Sequence, residues 1–213
     1  RMLAETEQFE EAVQQFQLLL TQYPQHSDIL YALGILSLQT EQISAAKNYF
    51  LELHHIGERA NTAAYYLGQI AQQDEKFDHA LFWFQKVQPE GANYLNTQAR
   101  IARILLEQGH FDKALEHLRK VPVEDEQDAI NLLQLEAELL IEHKDYQQAM
   151  EAYNRALKLK SDHIDILYAR ALLAEKIGRL DQLEQDLRRV LMIQPKNAEA
   201  LNALGYSMAD HSE

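Results

Sequence analysis

Nine histidines are the first residues in this chain that could do chemistry: His26, His54, His55, His79, His110, His117, His143, His163 and His211. Imidazoles bind metal when two of them share a helical face, as in H-E-x-x-H. No such pair occurs, and His54 and His55 are adjacent, so they diverge around a helix. The histidines therefore read as surface or turn residues. Glu138 and Glu142 are spaced i, i+4, close enough for acid–base work. Nothing in the sequence encloses them, so a solvated face is expected. The run Glu124-Asp125-Glu126-Gln127-Asp128 suits a helix N-terminus, where the macrodipole favours acids. Its alternative is a docking patch for a basic partner. No glycine loop cradles phosphate, no G-x-S-x-G elbow appears, and there is no cysteine. Thiol catalysis, zinc–thiolate sites and disulfides are excluded. No catalytic residues, metal ligands or cofactor site are assigned.

Composition sets the frame for these groups. The chain has 213 residues, of which 46% are hydrophobic and 25% charged, as in an ordinary folded protein. Only 7 glycines and 4 prolines are present, too few for a β-rich fold or a long linker. Acids outnumber bases 33 to 20, for a formal charge of −13. By segment the charge is −5 over residues 1–60, 0 over 61–106, −5 over 107–160 and −3 over 161–213. Nucleic acid is therefore not an expected partner, because counterion release needs a basic patch. No apolar run approaches the ~18 residues of a membrane span, so direct insertion by this segment is not expected. None of these residues reads as a signal peptide.

The chain repeats itself. A pair recurs at steps of 34 or 35: Leu33-Gly34, Leu67-Gly68, Ile101-Ala102, Glu136-Ala137, Arg170-Ala171 and Leu204-Gly205. A second column reads Ala12, Ala46, Ala80, Ala114, Ala149, Leu183. A third reads Phe16, Phe50, Phe84, Leu118, Tyr153, Leu187, and a fourth Phe9, Ile43, Phe77, Phe111, Tyr146, Leu180. Within a unit, apolar residues recur every three or four positions, as on one face of a helix. Two helices of about 13 residues, joined by a short polar break, are expected per unit. Gly109 and Gly178 fall in such breaks, and Pro24, Pro122 and Pro195 punctuate the units. Small residues allow the two helices to approach closely, and the large column fills the gap to the next unit. One hairpin cannot bury its apolar face alone, so the units must stack.

These columns resemble the tetratricopeptide repeat, a 34-residue helix–turn–helix with a Leu-Gly pair, an alanine, an aromatic and a late proline. The resemblance is clearest over Leu30-Tyr31-Ala32-Leu33-Gly34 through Ala46 and Phe50, and over Asn202-Ala203-Leu204-Gly205-Tyr206. It implies an all-α, right-handed α-solenoid of stacked hairpins along the whole chain. Residues 1–24 read as the tail of one unit followed by its complete second helix, 27–195 as five full units, and 197–213 as the first helix of another. A fragment of a longer array is expected, with an apolar flank exposed on the last helix. The early tryptophan of the motif is replaced throughout. Leu183 in the alanine column should widen its helical pair. The extra residue before Ala137 is expected near Glu124–Glu126.

The resemblance also implies a concave groove lined by first helices, which binds a protein or peptide. Its face maps to Tyr31, Ile35, Leu38, Tyr65, Gln69, Gln72, Arg103, Leu106, Glu138, Ile141, Tyr168, Leu172, Glu175, Asn202 and Tyr206. The alternative for the tyrosines is packing between helices. The Lys/Asn/Arg clamp of one subclass is absent, since its columns hold Tyr31, Ile35, Tyr65 and Gln69. A second, convex surface could be built from Tyr49, Phe82 and Trp83, unless Trp83 packs at a seam between units. The expected function is a non-catalytic protein-interaction scaffold or adaptor. The alternatives are a docking or regulatory region of a larger enzyme, or a structural subunit that self-associates through uncapped ends. The segment Leu201–Asp210 further resembles repeat-containing lipoproteins of Gram-negative bacteria. That resemblance implies a periplasmic, outer-membrane-anchored adaptor for envelope machinery such as a C-terminal processing protease, with a lipidated cysteine upstream of Arg1. A cytoplasmic location is the alternative.

Overall fold

The computed structural model describes residues 2–210, and side chains over 9–206. Twelve helices and no strands occur among the described residues. They are α1 (Met2–Gln22), α2 (Ser27–Gln39), α3 (Ile43–Ile56), α4 (Ala60–Gln73), α5 (Phe77–Phe84), α6 (Tyr94–Glu107), α7 (Phe111–Arg119), α8 (Glu126–Glu142), α9 (Tyr146–Leu159), α10 (Ile164–Lys176), α11 (Leu180–Ile193) and α12 (Ala198–Asp210). The all-α class is as expected. The chain divides into two compact units, Arg1–Ile104 and Leu105–Glu213.

Each helical hairpin closes in the same way. The residue one place before each second-helix N-cap has positive φ: Glu41 (59°), Glu75 (56°), Gly109 (78°), Lys144 (66°) and Gly178 (73°). The next N–H then donates five residues back: Gln42 to Ser37, Lys76 to Ala71, His110 to Leu105, Asp145 to Leu140 and Arg179 to Ala174, all at 2.8–2.9 Å. That is the Schellman closure, which satisfies carbonyls the ending helix leaves orphaned. Only two of the five positions carry glycine, so the three others hold a strained backbone costing about 1–2 kcal/mol each.

Three boundaries differ from the expected pattern. α1 runs unbroken from Met2 to Gln22, where the repeat predicts a turn after the first few residues. α5 and α7 have 8 and 9 residues instead of about 13. The cause is proline placement: Pro89 and Pro122 fall 12 and 11 residues after their helix starts, against 15 for Pro195. A residue preceding proline is pushed out of helical geometry, so neither helix can extend past Gln88 or Val121 to the expected length. The acidic run does open a helix. Asp125 caps α8, accepting from the Asp128 N–H at 3.1 Å, with Glu126 and Asp128 in the first turn.

In the first unit the core is Leu30, Ala46, Phe50, Leu53, Ala63, Leu67 and Ile70. The Gly column is needed here because the aromatic column lies against it. A Cβ on Gly34 would stand 2.7 Å from the Phe50 ring, and one on Gly68 2.4 Å from Phe84. In the second unit the core runs from Leu115 through Ile130, Leu140, Tyr153, Ile166 and Leu183 to Ala200. The flank of α12 is open: Leu201 is exposed and Tyr206 is 78% exposed.

Candidate functional site

Tyrosines organise the first unit. Tyr66 stacks on Phe50 (centroids 4.8 Å, 10°) and meets Tyr31 at 6.1 Å and Tyr65 at 5.4 Å. Burial, then a hydrogen bond with Tyr31 and the neighbouring phenols, push the Tyr66 hydroxyl up to about 12, so it stays neutral. The Arg59 guanidinium lies 5.1 Å over Tyr31 and pairs with Asp28. Arg100 lies 5.7 Å over Tyr65 and donates to Gln72 (3.0 Å) and Asn96 (3.1 Å).

Below this cluster lies a cleft of about 730 Å³. Leu38, Ile43 and Ile70 supply its apolar surface, Gln69, Gln72 and Gln73 its amides, and Glu41 and Arg100 its charges. Amide side chains offer both donors and acceptors, which is what a polypeptide backbone requires.

The structure thus brings together three expected groove residues, Leu38, Gln69 and Gln72. Tyr31 and Ile35 are half-buried beside them and pack against the core. Tyr65 is different. It is only 7% exposed, held by Tyr66, Phe84 (6.3 Å) and the Gln69 amide, which donates to its Oη at 3.2 Å. The packing alternative applies to it, because its ring packs on Phe84 inside its own hairpin, with Arg100 of the next hairpin over it. Arg103 is exposed on α6. In the second unit Glu138 is exposed and accepts from Gln134 at 3.0 Å. Its charge, after burial, helps push the Tyr153 hydroxyl up to about 12. Leu172 and Tyr206 are exposed, and Tyr168 is half-buried against the core.

The convex patch needs correction. Tyr49 and Trp83 are half-buried and pack on the core, and only Phe82 stands out, at 54% exposed. Gln17 donates to the Tyr49 Oη at 3.2 Å, and the His54 ring meets Trp83 edge-on at 5.2 Å. The reason is lateral stacking. A column one place before the core aromatic faces the second helix of the preceding hairpin. Lys86 covers Phe82 at 4.6 Å.

Four of the histidines cap helices: His26, His110 and His163 at N-caps, His143 at a C-cap. His211 lies outside the described residues. Among the described residues no three His, Asp or Glu side chains gather as a metal site. His117 occupies the column of Tyr49 and Trp83, and its Nε2 is buried without a partner. Burial lowers its affinity for a proton below the usual 6.5. The unfolded chain then binds the proton more readily, so stability is expected to fall as pH drops below about 6.5. Urea unfolding at pH 8 and pH 5.5 checks this, and His117→Phe should flatten the difference. An unchanged difference in that variant would assign the effect elsewhere.

Two polar clusters in the second unit lie outside the expected site residues. Glu136 and Arg170 stand in the pair column, where other units hold Leu33, Leu67 and Ile101. Glu136 is buried and accepts from Arg119 and Arg155. Asp186 is buried and takes both forks of Arg170, at 2.8 and 2.6 Å. The signal was legible as a charge in an apolar column.

A sequence profile described as a tetratricopeptide repeat-like domain matches residues 3–185. The chain belongs to the tetratricopeptide repeat family. The TPR repeat-containing protein PA4667 of Pseudomonas aeruginosa is 37% identical over 120 residues, 56% of this chain and 20% of that protein. A rat FK506-binding protein-like protein is 35% identical over 68 residues, 32% of this chain and 19% of that one. The matched segments thus span about a fifth of these curated relatives. Among solved structures, yeast Tom70 superposes with a TM-score of 0.62 at 18% identity, covering 93% of this chain and 42% of that one. Pseudomonas aeruginosa pilF gives 0.57 at 13%, covering 95% and 92%. YrrB, described as a TPR protein with an unusual peptide-binding site, gives 0.54 at 16%, covering 88% and 96%. At these identities the structures speak to fold alone: a tetratricopeptide α-solenoid. That fold supports a protein-interaction scaffold. No helix among the described residues is long and apolar enough to cross a membrane.

Proposed function

We propose that this chain is a non-catalytic adaptor that holds a segment of a partner protein in the first-unit cleft. The observation that carries this reading is the cleft's make-up. An apolar floor of Leu38, Ile43 and Ile70 lies beside three glutamine amides, between Glu41 and Arg100. Apolar anchors would seat on the floor, and the amides would pair with the main chain. A peptide library selected on the intact chain tests this. Gln73→Trp fills the cleft from an exposed position without disturbing the core. Selected peptides are expected to bind that variant about tenfold or more weakly, as when a central interface contact is blocked. Equal binding to parent and variant, at unchanged helicity, would rule the cleft out.

The finer reading places the adaptor in the bacterial periplasm, serving envelope machinery such as a C-terminal processing protease, and anchored through a lipidated segment upstream. The resemblance over Leu201–Asp210 and the similarity to a Pseudomonas repeat protein support it. Recovery of the native protein with the outer-membrane fraction would agree with it. Recovery with the cytosol alone would refute it.

A further inference from the structure

Glu136 occupies a column that holds leucine or isoleucine in every other unit but that of Arg170, and it is 3% exposed. A carboxylate there is costly unless it is paired and hydrogen-bonded. Two arginines supply the partners. Arg119, at the end of α7, donates through Nε at 2.8 Å, and its Nη2 lies 2.7 Å from the same oxygen. Arg155, on α9, donates through Nη2 at 2.6 Å. Yet both arginines keep much of their surface, 43% and 48% of the side chain. Each guanidinium therefore has one edge tied inward and another turned to solvent.

The outward edges open on a cleft of about 350 Å³, lined by Arg119, Arg155, Lys158, Gln148, Asn154 and Glu151. Gln148 is held by Asp145 at 2.5 Å, and its carbonyl already accepts from Arg119 at 3.2 Å. The Asn154 carbonyl is taken by Arg170 at 2.6 Å, so its amide N–H groups are what it offers. The lining holds three cations against one carboxylate, Glu151, while Glu136 and Asp145 are bonded behind Arg119, Arg155 and Gln148, in a chain of net charge −13. Arginines fixed by a buried anchor lose little further freedom on binding, which is the condition for a strong planar contact with an oxyanion.

We propose that this cleft is a second docking site, for carboxylate side chains on an acidic segment of a partner protein. One carboxylate would sit between Arg119 and Arg155, with Lys158 at the rim. The volume is at the small end for ligand pockets, enough for one or two side chains. A nucleic-acid backbone is disfavoured because the surrounding stretch, residues 107–160, carries −5. A short acidic segment meets mainly the local field, since screening sets in within ~10 Å.

A fluorescent hexaglutamate peptide tests this by anisotropy on the whole chain. Saturable binding at low salt, weakening as salt rises, is expected. Among the described residues Lys158 makes no hydrogen bond or ion pair, so Lys158→Glu should keep the helicity and weaken binding about tenfold or more. Lys196→Glu makes the same charge change on the α11–α12 connection and should leave binding intact. Equal loss in both variants would reduce the effect to net charge and overturn the proposal. So would absence of binding at low salt. Inorganic phosphate binding where hexaglutamate does not would also overturn it, in favour of a small-oxyanion site.

Discussion

Replacing Asp186 by alanine is expected to destabilise the second unit by about 3–5 kcal/mol, the usual cost of breaking one partner out of a buried ion pair. Asp186 is 1% exposed, and the Arg170 side chain is only 15% exposed. The carboxylate also accepts from Gln182 at 3.0 Å. Without it, Arg170 keeps Asn154 and loses the group that neutralises it inside the protein. Most of the cost is thus an orphaned charge, not a lost attraction. The double variant Arg170→Leu/Asp186→Ala restores the leucine that stands at Leu33 and Leu67 in the same column. It should recover most of the loss, since apolar replacement of a buried pair is often neutral. Urea unfolding followed by circular dichroism distinguishes the two. A single variant no worse than the double would show that the pair is not electrostatically closed.

Gly68→Ala should destabilise the first unit by about 1–3 kcal/mol through overpacking. Helix propensity alone predicts the opposite sign, a gain of about 0.8–1 kcal/mol. Packing wins because the new Cβ would fall 2.4 Å from the ring of Phe84, which is fully buried. Gly205 supplies the control. It holds the same column in α12, and a Cβ there meets nothing within 4 Å. Gly205→Ala is therefore expected to stabilise. Combining Gly68→Ala with Phe84→Leu reproduces the pairing Ala102 with Leu118 and Ala171 with Leu187, and should recover part of the loss. Ala137 with Tyr153 departs from that pattern. Thermal denaturation of the three variants checks the signs, and a stabilised Gly68→Ala would mean the ring can rotate clear.

The repeat, the helix pairs and the small-against-large columns were all legible from spacing, because each helix must present one face every 3.6 residues. The short α5 and α7 were legible in principle from Pro89 and Pro122. The binding surfaces were less so. Leu38, Gln69 and Gln72 were named from one helical face and do share a cleft, but Arg100, Ile43 and Glu41 come to it from three other chain positions. Tyr65 and Trp83 show the limit. An aromatic on the right face can line a groove or fill a seam, and only the neighbouring hairpin decides which.

By itself, the sequence determined the family, the all-α class, the period and the residues that meet across each hairpin. These follow from local periodicity and residue size. The tertiary structure alone decided which tyrosines are buried, which positive-φ turns carry non-glycine residues, and how Glu136 and Asp186 are neutralised. Those outcomes depend on side chains from separate helices meeting at distances that no spacing along one chain encodes.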